Sequence, residues 1–221
     1  MLPHFEFIGF QEYILVGGKR IMGIMGKVLW HFTMSLDGFI AGPNDAMDWV
    51  FDYVELPSAA APDPSGSSGT QSIVEETIRS TGAVLSGRRS YNVARKPGQR
   101  PEARTVCGGA WSGPQFVLTH QAPVDEEDRT ITFVSGDIRS VVAQALGTAE
   151  GKNVLVIGAD IARQCLQEGL IDEIVIHLAP VLLGDGVRVF SCPGLPNGIH
   201  LETIGAAQSG QLTNLRFRVI K

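Results

Sequence analysis

Residues 154–176, VLVIGADIARQCLQEGLIDEIVI, decide the fold. An apolar run stops at Gly158, an amphipathic stretch follows, and a second apolar run closes the segment. The two runs are rich in valine and isoleucine, as buried strands are, whereas Ile161, Cys165 and Leu166 recur at helical spacing. Strand, helix and strand in that order call for a crossover between parallel strands. Gly158 itself has two readings. A strand that ends at glycine and feeds a helix leaves unpaired backbone N–H groups at the positive end of the helix dipole, an arrangement that binds phosphate. GADIA is not a G-x-G-x-x-G fingerprint, so a glycine present for backbone reasons alone stands beside that reading.

Working outward, DIRSVVAQAL at 137–146 places Ile138, Val141, Val142, Ala145 and Leu146 on one helical stripe, with Asp137 as N-cap. Lys27–Met34, AVLSG at 83–87, QFVLT at 115–119 and ITFVS at 131–135 read as strands. A helix is expected near 71–80, and a short one within DAMDWVFDYVE at 45–55, where Met47, Val50, Phe51 and Val54 recur. LPSAAAPDPSGSSGT at 56–70 reads as a loop, and 88–114 as largely irregular apart from a helix after Gly87. HLETIGAAQ and LTNLRFRVI flank a turn, SGQ, and read as an antiparallel hairpin. This alternation predicts one α/β domain over 25–221, built on a mostly parallel sheet with helices on both faces. Residues 1–24 stand apart as an N-terminal extension, either an added strand or arm or a segment without function.

Hydrophobic residues at 44% against 19% charged give ample apolar surface to bury, as in a globular domain. A net charge of -5 provides no field for nucleic acid or an acidic membrane. No apolar run approaches the roughly 20 residues of a membrane span, and no secretory signal is evident, so the chain reads as cytoplasmic. Cys107, Cys165 and Cys192 lie far apart, with no pair at metal-ligand spacing. Isolated thiols and no metal site are expected.

Several residues carry candidate chemistry. LSGRRSYNVARK at 85–96 again runs strand, glycine, helix, with Arg88, Arg89 and Ser90 in the first turn. Cations there oppose the helix dipole, a conflict that an anionic ligand would relieve. The alternative is a solvated basic loop. Thr119, His120 and Gln121 form a polar strand end. Asp37, in SLDG, either shapes the turn before Gly38 or bonds a substrate. His177 alternates with apolar residues on its strand, and serves either as a proton relay or as a histidine satisfied by its neighbours. Asp48 and Asp52 read as solvated helix carboxylates or as substrate-side acids. No Ser, His and Asp constellation stands out.

Five segments, MSLDGFIAG (34–42), LSGRRSY (85–91), VLT (117–119), VIGADIARQCL (156–166) and LIDEIVIHLAPVLLGDGVRVF (170–190), occur in the order found in the dihydrofolate reductase-like superfamily. The chain resembles stand-alone relatives of the reductase domain of the bacterial riboflavin deaminase-reductase, over Lys27 to the C-terminus. The resemblance implies a dihydrofolate reductase-like mixed sheet flanked by helices, closed by the C-terminal hairpin, and NADPH along its C-terminal edge. By matching position, Gly87, Arg88, Arg89 and Ser90 hold the adenosine side of the cofactor, and Leu118, Thr119 and His120 the adenine and 2'-phosphate. Gly158, Ala159, Asp160, Ile161 and Ala162 fall on the pyrophosphate, while Thr33, Ile40 and Ala41 line the nicotinamide. Asp48 and Trp49 fall in the substrate-side segment. The helix carboxylate of folate reductases matches near Val54, with Asp52 and Glu55 displaced from it, so Asp37, Asp52 and His177 are the candidate catalytic groups. PVLLGDGVRVF (180–190) contributes to a homodimer in such relatives, or else forms a hairpin. The expected function is NADPH-dependent reduction of a small pterin-like, pyrimidine or carbonyl compound. A non-catalytic nucleotide-binding protein of the same fold is the alternative.

Overall fold

The computed structural model describes residues 13–16, 19–22, 26–54, 69–123, 126, 128–191 and 198–221. Glu55, Cys192 and most of the 56–70 loop lie outside them, as does most of the N-terminal extension. Within that extension, β1 (Tyr13–Val16) and β2 (Lys19–Met22) pair antiparallel as a ribbon separate from the main sheet.

The main sheet is centred on β3 (Val28–Ser35), which lies between β8 (Asn153–Ile157) and β9 (Glu173–Ala179), parallel to both. Beyond β8 come β5 (Thr81–Gly87), β6 (Gln115–Leu118) and β7 (Ile131–Val134), all parallel. Beyond β9 the hairpin of β12 (Leu212–Val219) and β11 (Leu201–Ser209) completes eight strands with antiparallel pairing.

Both faces of the central strands are buried, which is why their sequences run apolar instead of alternating. On one face Trp30, Leu85, Val154, Val156, Ile174 and Ile176 meet α3 (Ile138–Thr148) and α4 (Ala159–Gln167) through Val141, Val142, Ala145, Ile161, Ala162 and Cys165. On the other, Leu29, Val84, Leu155 and Val175 meet Ile73 of α1 (Gly69–Ser80) and Trp111. Helix ends follow local chemistry. Asp137 caps α3 by accepting from the Ser140 N–H at 3.0 Å, and Gly169, at φ +64, ends α4 in the left-handed conformation.

Three expectations need correction. The 45–55 helix is two short 3-10 turns, Pro43–Asp45 and Asp48–Asp52, because Asn44 and Asp45 adopt φ of +59 and +64, which no α-helix tolerates. The loop ending at residue 70 ends earlier, since Gly69 and Thr70 already belong to α1. Segment 180–190 is not a hairpin on itself. Its β10 (Val187–Arg188) pairs antiparallel with β4 (Phe39–Ala41), bringing the 183–186 turn onto the β3–β4 turn.

Candidate functional site

The C-terminal ends of β5 and β8 are adjacent, yet the chain leaves them in opposite directions. From β5 it passes through α2 (Arg88–Ala94) outward to β6, and from β8 through α4 across β3 to β9. Such a switch point opens a crevice beyond the strand ends. Gly87 and Gly158 sit at its two lips. Gly158 has φ +96 and ψ 141, a conformation restricted essentially to glycine, and a Cβ there would lie 2.5 Å from Ser90 Oγ. A Cβ on Gly87 would lie 3.1 Å from Ile161 Cγ1. Each glycine turn thus packs against the helix that follows the other.

The arginines of α2 have partners within the chain. Arg88 donates to Asn92 Oδ1 at 2.9 Å and to the Gln121 carbonyl at 2.8 Å. Arg89 donates to Asp45 Oδ1 through Nε and Nη2 at 2.9 and 2.6 Å, and Lys96 holds Asp45 Oδ2 at 2.7 Å. Asp45, which the sequence did not single out, thus supplies the anion expected of a ligand. These cations hold its carboxyl below the usual aspartate range. A cavity of about 420 Å³ opens beside Arg89 and is also lined by Phe39, Gly186 and Arg188. Thr119 Oγ1 turns inward to the Gln121 backbone, His120 is exposed, and Asp160 is exposed and held by Arg163 at 2.5 Å.

Asp37 clamps two turns together. Its carboxylate accepts from Ser35 Oγ at 2.7 Å, from the Leu183 N–H at 3.1 Å and from the Gly184 N–H at 2.7 Å. The Ser35 hydroxyl, followed by the two amides, lowers its pKa to about 2, against the ordinary 3.8. An aspartate so held is ionised at neutral pH and stores no proton. Because the folded pKa lies below the unfolded one, the clamp is fully present above the ordinary value and is lost as pH falls toward about 2. Peptic cleavage beside the exposed Leu182 is expected to accelerate across that interval. In Asp37→Asn it is expected to be fast throughout.

The segment expected on the substrate side packs as a small cluster, in which Trp49, Val50, Tyr53 and Val54 cover Ala179 and Leu212. Trp49 Nε1 is buried with no hydrogen-bond partner among the described residues. Asp48 is exposed beside Arg100 at 3.4 Å, and Asp52 is exposed. Neither joins the buried polar groups of the sheet.

Those polar groups form a chain that the sequence revealed only at His177. His177, 2% exposed, faces Asn214 of β12 in register, and its Nδ1 lies 2.5 Å from Asn214 Oδ1. Its Nε2 lies 2.6 Å from Nε2 of His31, diagonally across β3. Asn214 Nδ2 donates to Thr70 Oγ1 of α1 at 3.0 Å. Burial, then the neighbouring His177 and Arg216 charges, push the His31 pKa well below its ordinary 6.5, and burial lowers that of His177 despite the Asn214 bond. Both rings are therefore neutral near pH 7. The signal that was legible is the alternation of His31, Thr33 and Ser35 along β3, polar residues that share one face of a buried strand.

Burial pushes the thiols of Cys107 and Cys165 up to about 11 and about 12, so both are unreactive. Among the described residues no cluster of metal-ligating side chains forms, and no helix is long and apolar enough to cross a membrane.

A mixed sheet with a glycine-lipped crevice at its switch point, and a polar chain under α1, is the architecture of a dihydrofolate reductase-like reductase domain. The chain belongs to the RibD C-terminal domain family, whose model matches residues 26–215. Among curated proteins it is 26% identical to the uncharacterised protein YwjB of Bacillus subtilis (strain 168) over 193 residues, 86% of this chain and 97% of that one. A putative riboflavin biosynthesis protein from Shewanella sp. PV-4 superposes with a TM-score of 0.66 at 22% identity, covering 88% of this chain and 99% of that one. The deaminase/reductase of Thermotoga maritima, a diaminohydroxyphosphoribosylaminopyrimidine deaminase and 5-amino-6-(5-phosphoribosylamino)uracil reductase, gives a TM-score of 0.62 at 14% identity. The match covers 89% of this chain and 57% of that longer protein. At these identities the structural matches speak for the fold.

Proposed function

We propose that the protein is an NADPH-dependent reductase of a small pyrimidine-like or other ring or carbonyl compound. The observation that carries this reading is the convergence of the Gly87 and Gly158 turns at one switch point, where the Gly158 backbone closes a cradle that any side chain would fill. The residues present fit a dinucleotide. The N–H groups from Gly158 to Ile161 hold its pyrophosphate at the start of α4, that of Ala162 being bonded to the Gly158 carbonyl at 3.1 Å, Ser90 faces that turn, and Leu118, Thr119 and His120 border the adenine end. Arg88 and Arg89 serve the 2'-phosphate, with Arg89 exchanging the Asp45 carboxylate for it. Thr33, Ile40 and Ala41 line the nicotinamide, whose contribution when bound is a hydride. What the chain then provides is orientation of the substrate under α1, exclusion of water by the Trp49 cluster, and a proton route along the polar face that holds His177. Membership in a reductase-domain family and the pyrimidine reductase activity named for the Thermotoga protein support this choice of chemistry. Leu182 and Phe190, 70% and 51% exposed on the 180–190 segment, support a homodimer formed there.

Calorimetric titration with NADPH and, separately, NADH tests the reading. NADPH is expected to bind at least about tenfold more tightly, a difference of ~1.4 kcal/mol. Arg88→Ala and Arg89→Ala are each expected to weaken NADPH by about tenfold or more while changing NADH little, as loss of a charge-assisted bond to phosphate requires. Binding of neither dinucleotide by the folded protein would overturn the proposal.

A further inference from the structure

Arg188 of β10 is an exposed cation with no carboxylate partner among the described residues. Its guanidinium lies over the ring of Phe39, 4.5 Å from the centroid, and Nη1 donates to the Asp37 carbonyl at 3.3 Å. These two contacts fix the plane of the guanidinium. They leave its Nε–H and Nη2–H edge, the edge that pairs bidentately with a carboxylate or a phosphate, without a partner among the described residues.

Arg188 is part of the wall of the cavity of about 420 Å³, together with Phe39, the 184–186 turn and Arg89. Arg89 spends Nε and Nη2 on the single oxygen Asp45 Oδ1, so its Nη1 also has no partner among the described residues. Two guanidinium groups with unused donors thus line one space. The carboxylates around it are mostly filled. Asp45 is held by Arg89 and Lys96, and Asp37 by Ser35, Leu183 and Gly184. Asp185, on the wall itself, turns Oδ1 onto the Gly186 N–H at 2.7 Å, and its other oxygen is the one local charge left to oppose an anion. The volume lies in the range of about 300–1,000 Å³ typical of small-molecule sites, which is more than a lone ion requires. Neither Gly87 nor Gly158, the lips of the crevice, lines it.

We propose that this cavity is a second ligand site, separate from the glycine-lipped crevice, for a small organic oxyanion, either a carboxylate or a phosphate ester. Arg188 grips the oxyanion through its open edge and determines specificity, Arg89 adds a second donor and charge, and Asp185 limits the affinity by repulsion. The two guanidinium groups select an acceptor, because a cation is repelled and a neutral donor leaves their N–H groups unpaired. The site stands independently of the reductase reading and shares only Arg89 with the dinucleotide site proposed above.

Titration of the full chain, labelled with ¹⁵N-arginine, with phenyl phosphate and, separately, with benzoate tests the site through the arginine Nε–H resonances. NADPH is absent throughout, so the outcome does not depend on the reductase reading. Saturable binding of at least one probe is expected, with the Arg188 resonance moving most, and a response to one probe alone tells which oxyanion the site takes. Arg188→Gln is expected to weaken binding by about tenfold or more, and Arg188→Lys, which keeps the charge without the planar fork, by nearly as much. Asp185→Asn is expected to tighten binding by about threefold, as removal of an opposing charge on an exposed wall requires. Arg139→Gln removes the same charge from α3 and is expected to change nothing. Equal losses in Arg139→Gln and Arg188→Gln would mean general attraction to the surface and would overturn the site. Full affinity in Arg188→Lys, or no saturable binding of either probe below about 10 mM, would do the same. If Arg188→Gln fails to fold, Arg188→Lys and Asp185→Asn decide the matter.

Discussion

Gly186→Ala is expected to destabilise the protein by about 3 kcal/mol or more. Gly186 has φ +138, and a Cβ there would lie 2.0 Å from the Ala41 carbonyl oxygen and 2.9 Å from the Gly42 carbonyl carbon. Those are backbone atoms, so no side-chain rotation relieves the clash. Strand β10 must withdraw from β4, which loosens Phe39 and removes the footing of the Asp37 clamp. Gly184→Ala is the control. Its φ is +75, but nothing among the described residues lies within 4 Å of the added atom, so only the left-handed strain of about 1–2 kcal/mol applies. Urea unfolding of the two variants distinguishes the causes. Equal losses would mean that backbone conformation, not the close approach of β10 to β4, sets the need for glycine. Because Ile40 and Ala41 lie in β4, Gly186→Ala is also expected to weaken dinucleotide binding at temperatures where it remains folded.

The second large effect is a loss of stability in mild acid. His31 and His177 have folded pKa values below 6.5, so the unfolded chain binds protons that the folded one refuses. Stability is therefore unaffected above the ordinary histidine range and falls as pH drops through it, continuing until the folded values are reached. His31, whose pKa is lowered the further of the two, contributes the larger share of that loss and His177 the smaller. The interval between 6.5 and 4.5 isolates the pair, since the shifted carboxylates, Glu173 among them, have ordinary values of 4.5 or lower. Urea midpoints measured at neutral pH and near pH 5 are expected to converge in His31→Asn/His177→Asn relative to the natural sequence. An unchanged pH slope in that variant would show that the rings are not the proton-refusing groups.

Much of the architecture was legible because it rests on local signals. The valine and isoleucine runs around Gly158, the stripe of α3 with its Asp137 cap, and the turn between Leu201–Ser209 and Leu212–Val219 each report a few neighbouring residues. The crevice was legible for the same reason, as Gly87 and Gly158 each end a strand. What escaped depends on residues far apart in the chain. Thr70 and Asn214 meet across 144 positions, and Arg89 finds Asp45 across 44. His31 was hidden inside a strand read for its apolar neighbours. The helix expected at 45–55 failed at its start, where Asp45, like Asn44 before it, takes a left-handed backbone angle and bonds Arg89 and Lys96 far along the chain. Asp37 illustrates a middle case. Its place in the turn was readable, but its hold on Leu183 and Gly184 spans 146 residues and more.

The central place of β3 governs the order in which the polypeptide acquires its shape. Lys27 is bonded to Asn153, 126 positions later, and Val28 to Asp172, 144 positions later. At the usual pace of synthesis, the ribosome needs on the order of ten seconds to supply those partners. Until then the segment bearing Leu29, Trp30 and Phe32 has no neighbour on either side, while β5, β6 and β7 are already able to pair with one another. Nascent chains therefore spend most of translation with their innermost strand unprotected, and the yield of folded protein depends on how well that interval is shielded from aggregation.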